Sequence, residues 1–304
     1  MSDNEISEKI NELRKNENIV ILAHNYQRGE IQEIADYTGD SLELSRYSSE
    51  VDAENIFFCG VTFMAETAKL ISPGKKVYIP RIDSICPMAE MISSQDIIDF
   101  KKKNPGWTIV CYVNSTADTK SVSDYCVTSS NAVDVIRKIP NDKIFFCPDK
   151  NLGTFCKNAI PEKEFILWQG YCCVHEDITY DSLLSTKQKY NNAEVIVHPE
   201  CRDEVVKASD LAMSTSKMIK YVRESSCNEF IIGTEEGVFY KMRKENPQKK
   251  FHSIERDRIC AKMKYITLED LYNSIVYKKH EVFVDAETGI RAKRCIDSMF
   301  EITK

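Results

Sequence analysis

Twelve cysteines are spread through 304 residues, and no two stand in C-x-x-C spacing. Three of them form a series: Cys86, Cys172 and Cys260 lie 86 and 88 residues apart and open similar polar or helical stretches, CPMAEM, CCVHED and CAKMKY. Three thiolates brought to one point would hold zinc with one coordination position open. They would equally hold three irons of a four-iron cubane, leaving the fourth iron free to act as a Lewis acid. Ligand number alone does not separate the two. The lack of any local cysteine knuckle favours a cluster at a junction between domains.

Groups suited to proton transfer recur in pairs: His24 with Tyr26, Tyr112 with Asn114, His198 with Glu200. Each pair ends an apolar run, and side chains two apart on a strand share a face. In parallel sheets that end is where ligands bind, and His, Tyr and Glu can move protons there. Seventeen residues after His24, Tyr112 and His198 come Ser41, Ser129 and Thr215, with Asp40, Ser130 and Ser214 beside them. Each is expected to open a helix. Ordinary N-capping explains part of that pattern; the free N–H groups of a helix start also bind carboxylates and phosphates. Three such starts around one axis would suit a small polyanionic substrate without any basic patch.

These residues need elements to position them. Short apolar runs such as NIVILAHNY, NIFFCGVTF, WTIVCYVN, KIFFCP, EVIVHPE and NEFIIGT alternate with longer helical patterns, which predicts buried parallel strands and an α/β fold. The spacing repeats: Cys59, Cys147 and Gly233 each follow the serine or threonine position by eighteen residues. A fixed long period marks repeated structural units, here three small three-stranded α/β units in pseudo-threefold arrangement. Their cysteines would converge on the axis. Cys59, Cys111 and Cys147, at strand ends, read as core thiols.

Bulk properties bound the function. A net charge of −6 and a pI near 5.6 give little support to nucleic-acid binding. The polar N-terminus has no apolar signal segment and no run is long enough to span a membrane, so a cytoplasmic chain with free or metal-bound thiols is expected.

The stretches ILAHNYQ, IADYTGDSLELSR, FCGVTFMAETAK, CYVNSTADTK, VTSSNAV, WQGYCCVHE, HPECRDEV, STSKMIKYV, GTEEGVFYKM and CAKMKYITLEDL run from about residue 19 to 272. In that order they resemble the quinolinate synthase (quinolinate synthetase A) family of NAD biosynthesis. The resemblance implies three three-layer α/β/α domains around a central 4Fe–4S cluster held by Cys86, Cys172 and Cys260, with one iron open. The units would span 1–86, 87–172 and 173–272, with helices of 273–304 packing on the first. The implied reaction condenses iminoaspartate with dihydroxyacetone phosphate to quinolinate, with loss of phosphate and water. An L-aspartate oxidase or dehydrogenase would supply the imine.

Matching positions assign Tyr26, His24 and Glu200 to catalysis. They assign His24, Ser41, Tyr112, Asn114, Ser129, His175, His198, Glu200, Ser214 and Thr215 to substrate binding. Of these, only His175 falls outside the repeat pattern; it either touches substrate or orients the cluster loop. Cys173 is expected to turn away from the cluster and Met64 to pack in the core. Lys217 departs from the glycine common in the family, and would narrow or recharge one edge of the pocket. Cys260 has no neighbouring cysteine, so no thiol switch is expected there.

Overall fold

The computed structural model describes residues 1–302. Twelve strands form three separate four-stranded sheets, and every pairing within them is parallel. The first contains β1 (Ile19–His24), β2 (Tyr37–Gly39), β3 (Asn55–Cys59) and β4 (Lys76–Tyr78). The second contains β5 (Thr108–Tyr112), β6 (Tyr125–Val127), β7 (Lys143–Cys147) and β8 (Glu164–Leu167). The third contains β9 (Glu194–Val197), β10 (Leu211–Ala212), β11 (Glu229–Gly233) and β12 (Lys250–Ser253). All three share one order, β2-β1-β3-β4, β6-β5-β7-β8 and β10-β9-β11-β12. The repeat extends to single rungs. The central pairs end at Ala23 opposite Cys59, Cys111 opposite Cys147 and Val197 opposite Gly233. The α/β class is as expected, but each sheet has four strands, not three. The additional strand on one edge is only two or three residues long, too short to show a period.

Helices cover both faces of the sheets. Cys59, Cys111 and Cys147 are fully buried, as strand-end core thiols should be. One continuous apolar cluster joins the first two units, running from Val20 and Phe58 through Ile109, Val110 and Phe146. The other face of the first sheet is closed by helices Asp3–Asn16 and Leu268–Tyr277, through Ile6, Ile10, Leu271 and Ile275. The third sheet has a separate apolar cluster on each face. The described part of the C-terminal segment, 273–302, divides its packing. The end of helix Leu268–Tyr277 stays on the first unit, whereas helix Ala286–Glu301 lies chiefly on helix Ala117–Ser121 and β6, and also on helix Thr62–Ile71. No helix among the described residues is long and apolar enough to cross a membrane.

Candidate active site

The C-terminal ends of the three sheets face one cavity. Its lining includes His24, Tyr26, Ser41, Tyr112, Asn114, Ser129, His175, His198, Glu200 and Thr215, together with Cys86, Cys172 and Cys260. Residues from all three units therefore meet at a single place. Ser214 does not line it: the residue is fully buried, and its hydroxyl sits 2.6 Å from that of Ser130. Met64 is buried and also contributes to the wall.

Two units use the same local device. The N–H of Tyr26 donates to Nδ1 of His24 (3.1 Å), and the N–H of Glu200 donates to Nδ1 of His198 (3.3 Å). Each histidine closes or follows a central strand and the next residues turn, so the two-residue spacing works through a turn rather than along an extended strand. Burial pushes the His24 imidazole down to about 4 and that of His198 down to about 3. Both are neutral at pH 7. With Nδ1 accepting, the proton belongs on Nε2, so each ring offers a donor.

Glu200 is buried among these groups. Burial pushes its carboxyl up, but His198, His175 and the Tyr112 hydroxyl outweigh that and hold it at about 2. His175 Nδ1 lies 2.7 Å from Glu200 Oε2 without hydrogen-bond alignment. Its Nε2 lies 2.9 Å from the Thr234 hydroxyl, which in turn lies 2.6 Å from the Tyr26 hydroxyl. Burial, and then the charge of Glu200, push both Tyr26 and Tyr112 well above the ordinary phenol range. Both tyrosines are proton donors at pH 7. A hydrogen-bonded path Tyr26–Thr234–His175 thus runs along the wall, with Glu200 beside its His175 end. Asn114 leaves its buried Oδ1 without a partner beside it, which leaves an acceptor for a ligand N–H or O–H.

The cysteines share a geometry too. Cys86 and Cys172 have nearly the same backbone angles (φ −73°, ψ 117° and φ −78°, ψ 117°), each immediately before a short helical turn. The backbone of the following turn lies close enough to each thiol to favour its ionised form slightly: Ala89 and Met88 at Cys86, His175 at Cys172, Met263 and Lys262 at Cys260. Burial nevertheless pushes Cys86 up to about 12, Cys260 up to about 11 and Cys172 well above its usual value. Among the described residues, no lysine or arginine lines the cavity to offset a thiolate. Three half-buried cysteines facing one cavity with no cation beside them fit a metal group, which displaces thiol protons outright. A tighter donor set overlaps it: one ligand atom each from Cys172, His175 and Glu200 lies within 4.8 Å of the others. Cys173 is exposed and outside the cavity lining.

The three expected helix starts differ. Ser41 begins helix Ser41–Glu50, but the Asp40 carboxylate already accepts its first free N–H groups, those of Leu42 and Glu43. Ser129 and Ser130 do not open a helix. The Asn131 side chain takes the Thr128 N–H and hydroxyl into a tight turn, and the helix begins at Ala132. Helix Thr215–Glu224, like helix Ala132–Lys138, starts with no side-chain cap; here Ser214 is turned to Ser130. Lys217 is exposed and donates to the Ser130 carbonyl (2.7 Å), outside the cavity lining.

Three residues at the site carry no signal that the sequence pattern singles out: Thr234, Glu235 and Asp149. Asp149 and Glu235 each follow a repeat-aligned position, Cys147 and Gly233, by two residues. Extending the alignment by two places would find them.

Fold and cavity together define an α/β protein of three repeated units, with thiols, imidazoles and a carboxylate from all three facing one central pocket. A family model described as Quinolinate synthetase A protein matches residues 8–301. Similar curated proteins are the quinolinate synthases of Caldicellulosiruptor saccharolyticus (46% identical, all of both chains), Alkaliphilus metalliredigens (44%, covering 99% of this chain and 100% of the relative) and Thermodesulfovibrio yellowstonii (43%, 98% and 99%). The chain belongs to the quinolinate synthetase A family.

Proposed function

We propose that this enzyme condenses iminoaspartate with dihydroxyacetone phosphate to quinolinate in NAD biosynthesis, with loss of phosphate and water. In this reading Cys86, Cys172 and Cys260, one from each unit, hold a 4Fe–4S cluster, and the units divide near residues 86 and 172. Bound there, the cluster supplies an iron without a protein ligand as a Lewis acid. The observation that carries the reading is the delivery of three cysteines, one from each unit, to the cavity that also holds Glu200, His24, His198 and Tyr26.

The chain's own groups divide the remaining work. Nε2–H of His24 and of His198 donate to substrate carboxylate or carbonyl oxygens. The uncapped start of helix Thr215–Glu224, with Ser41 and Ser129 facing it, seats phosphate or carboxylate. Asn114 Oδ1 accepts from the substrate nitrogen. Glu200 is the ionised base, and Tyr26, protonated and linked through Thr234 to His175, gives and recovers protons during isomerisation and dehydration. Iminoaspartate is short-lived in water, so an L-aspartate oxidase or dehydrogenase supplies it nearby.

Anaerobic protein reconstituted with iron and sulfide should form quinolinate from the two substrates. A cluster-replete preparation that makes none would overturn the reading. The proximity of Cys172, His175 and Glu200 favours one competing arrangement, a single zinc or iron ion. Metal and sulfide analysis separates them: Cys260→Ala should abolish iron–sulfide uptake under the cluster reading and leave a single-ion site filled under the other.

A further inference from the structure

Cys172 and Cys260 have a feature in common in what holds their backbone. The backbone N–H of Cys172 donates to Asp149 Oδ2 (3.2 Å), and that of Cys260 donates to Glu235 Oε1 (3.0 Å). Both carboxylates are fully buried. They occupy the same place in the repeat, two residues beyond the ends of β7 and β11 at Cys147 and Gly233. Each is also fixed on its other bonds. Asp149 accepts from the N–H groups of Asn151 and Leu152 (both 2.8 Å), and Glu235 accepts from the Gly237 N–H (2.6 Å). Glu235 further pairs with Lys264 at 3.2 Å, and Lys264 Nζ donates to the Tyr26 carbonyl at 2.8 Å. The same position in the first unit is Val61, whose side chain has no acceptor. There the Cys86 segment is tied instead through the Ser84 carbonyl, which accepts from the Thr62 N–H (2.9 Å) and hydroxyl (3.1 Å).

We infer that Asp149 and Glu235 are positioning residues for the metal group: they fix the backbone of two of its three cysteines, while Cys86 is held by a different device. A buried carboxyl group has two oxygens that accept from several backbone N–H groups at once, so it locks strand end and cysteine loop in one orientation. Glu235 carries the lock further, joining the Cys260 loop through Lys264 to the segment bearing Tyr26. The inference rests on the proposed cysteine ligation but not on the reaction, since it concerns what holds the two loops.

The test uses full-length Asp149→Asn and Glu235→Gln. In either variant an amide NH2 replaces one of two oxygens that both face N–H donors, so one side of the clamp is lost at little change in volume. In metal-free protein, the rate at which iodoacetamide alkylates each cysteine, read by peptide mass spectrometry, reports opening of its loop. Asp149→Asn should speed alkylation of Cys172, and Glu235→Gln that of Cys260, by about tenfold or more, with Cys86 unchanged in both. In reconstituted protein, both variants should release iron to a chelator faster, within the roughly 10–100-fold range typical for partners of metal ligands. Unchanged rates at Cys172 and Cys260 would overturn the inference. So would equal acceleration at all three cysteines, which would mean that the carboxylates hold the whole fold rather than two loops. If wild-type protein takes up no iron and sulfide, the cluster reading fails, while the alkylation pattern still decides the positioning role.

Discussion

At the scale of single residues, the Tyr26 hydroxyl has one short partner, the Thr234 hydroxyl at 2.6 Å, and Thr234 also reaches His175 Nε2. Tyr26→Phe should lose about 10²–10⁴-fold in kcat, the usual range for removing a proton-transfer group, with iron content unchanged. Thr234→Val keeps the shape but breaks the link, and should lower kcat by a smaller factor; wild-type turnover in that variant would remove Thr234 from the path. The histidines set a pH dependence of stability. His24 and His198 titrate at about 6.5 when unfolded and at about 4 and 3 when folded. The unfolded chain therefore binds more protons between those limits, so their contribution is complete above pH 6.5 and falls as pH drops toward 4 and then 3. Moving a titration by one pH unit corresponds to about 1.4 kcal/mol, so metal-free protein should lose several kcal/mol over that window. His198→Gln should flatten the urea-midpoint profile below pH 6.5, and an unaltered slope would contradict a buried neutral imidazole.

At the scale of elements, the segment Thr234–Gly237 after β11 does several jobs in four residues. Thr234 meets Tyr26 and His175, Glu235 holds the Cys260 loop, and Gly237 packs against the Tyr26 backbone. A Cβ at Gly237 would lie 2.7 Å from Tyr26 Cα and C, which are backbone atoms and cannot swing aside. Gly237→Ala should cost about 1–3 kcal/mol and lower kcat more than it raises KM, because the displaced part is the catalytic tyrosine. A normal kcat with only a lower Tm would limit the glycine to packing. This segment also shows how far a sequence can be read. The repeat spacing brings out His24, Tyr112, His198 and the three cysteines, because each is a chemically distinctive residue at a regular interval of a parallel sheet. Thr234 and Glu235 sit inside GTEEGVFYKM without a marked role, since nothing local in a Thr-Glu pair tells of partners more than twenty residues away. The edge strands β2, β6 and β10 are too short to show alternation. Ser129 reads as a helix start because a serine before an apolar run usually caps one, but the Asn131 side chain folds back onto the Thr128 N–H and hydroxyl, and the turn it makes places Ser129 before the helix.

At the scale of the whole molecule, the three units are joined unequally. The first two share one apolar cluster, sealed in part by helix Ala286–Glu301 through Ala292, Cys295, Ile296 and Met299. The third sheet keeps its clusters to itself, and chain beyond it returns to the others through the Cys260–Met263 loop. Apart from the packing of Gly237 on the Tyr26 backbone, its ties near the cavity are largely polar, among them Asn25 to Thr215 (3.2 Å), Ser216 to the Asp40 N–H (3.1 Å), Ser130 to Ser214 (2.6 Å) and Asn151 to the Glu200 carbonyl (3.0 Å). Polar contacts exchange with water at little net cost, whereas a shared apolar core must be exposed to come apart. Relative motion is therefore expected at the border of the third unit, which is also a wall of the cavity. The same imbalance should appear as separate stability. In native-state hydrogen exchange under increasing urea, the amides of β9 and β11 should merge into a subglobal unfolding step below that of β5 and β7, whose core extends into the first unit. A dicarboxylate that bridges Thr215 and His198 to His24 should raise the lower step and leave the upper one in place, since it binds across the border. Coincident exchange isotherms for all four strands, with and without the dicarboxylate, would show that the third unit is held as firmly as the other two, and that substrates enter without its release.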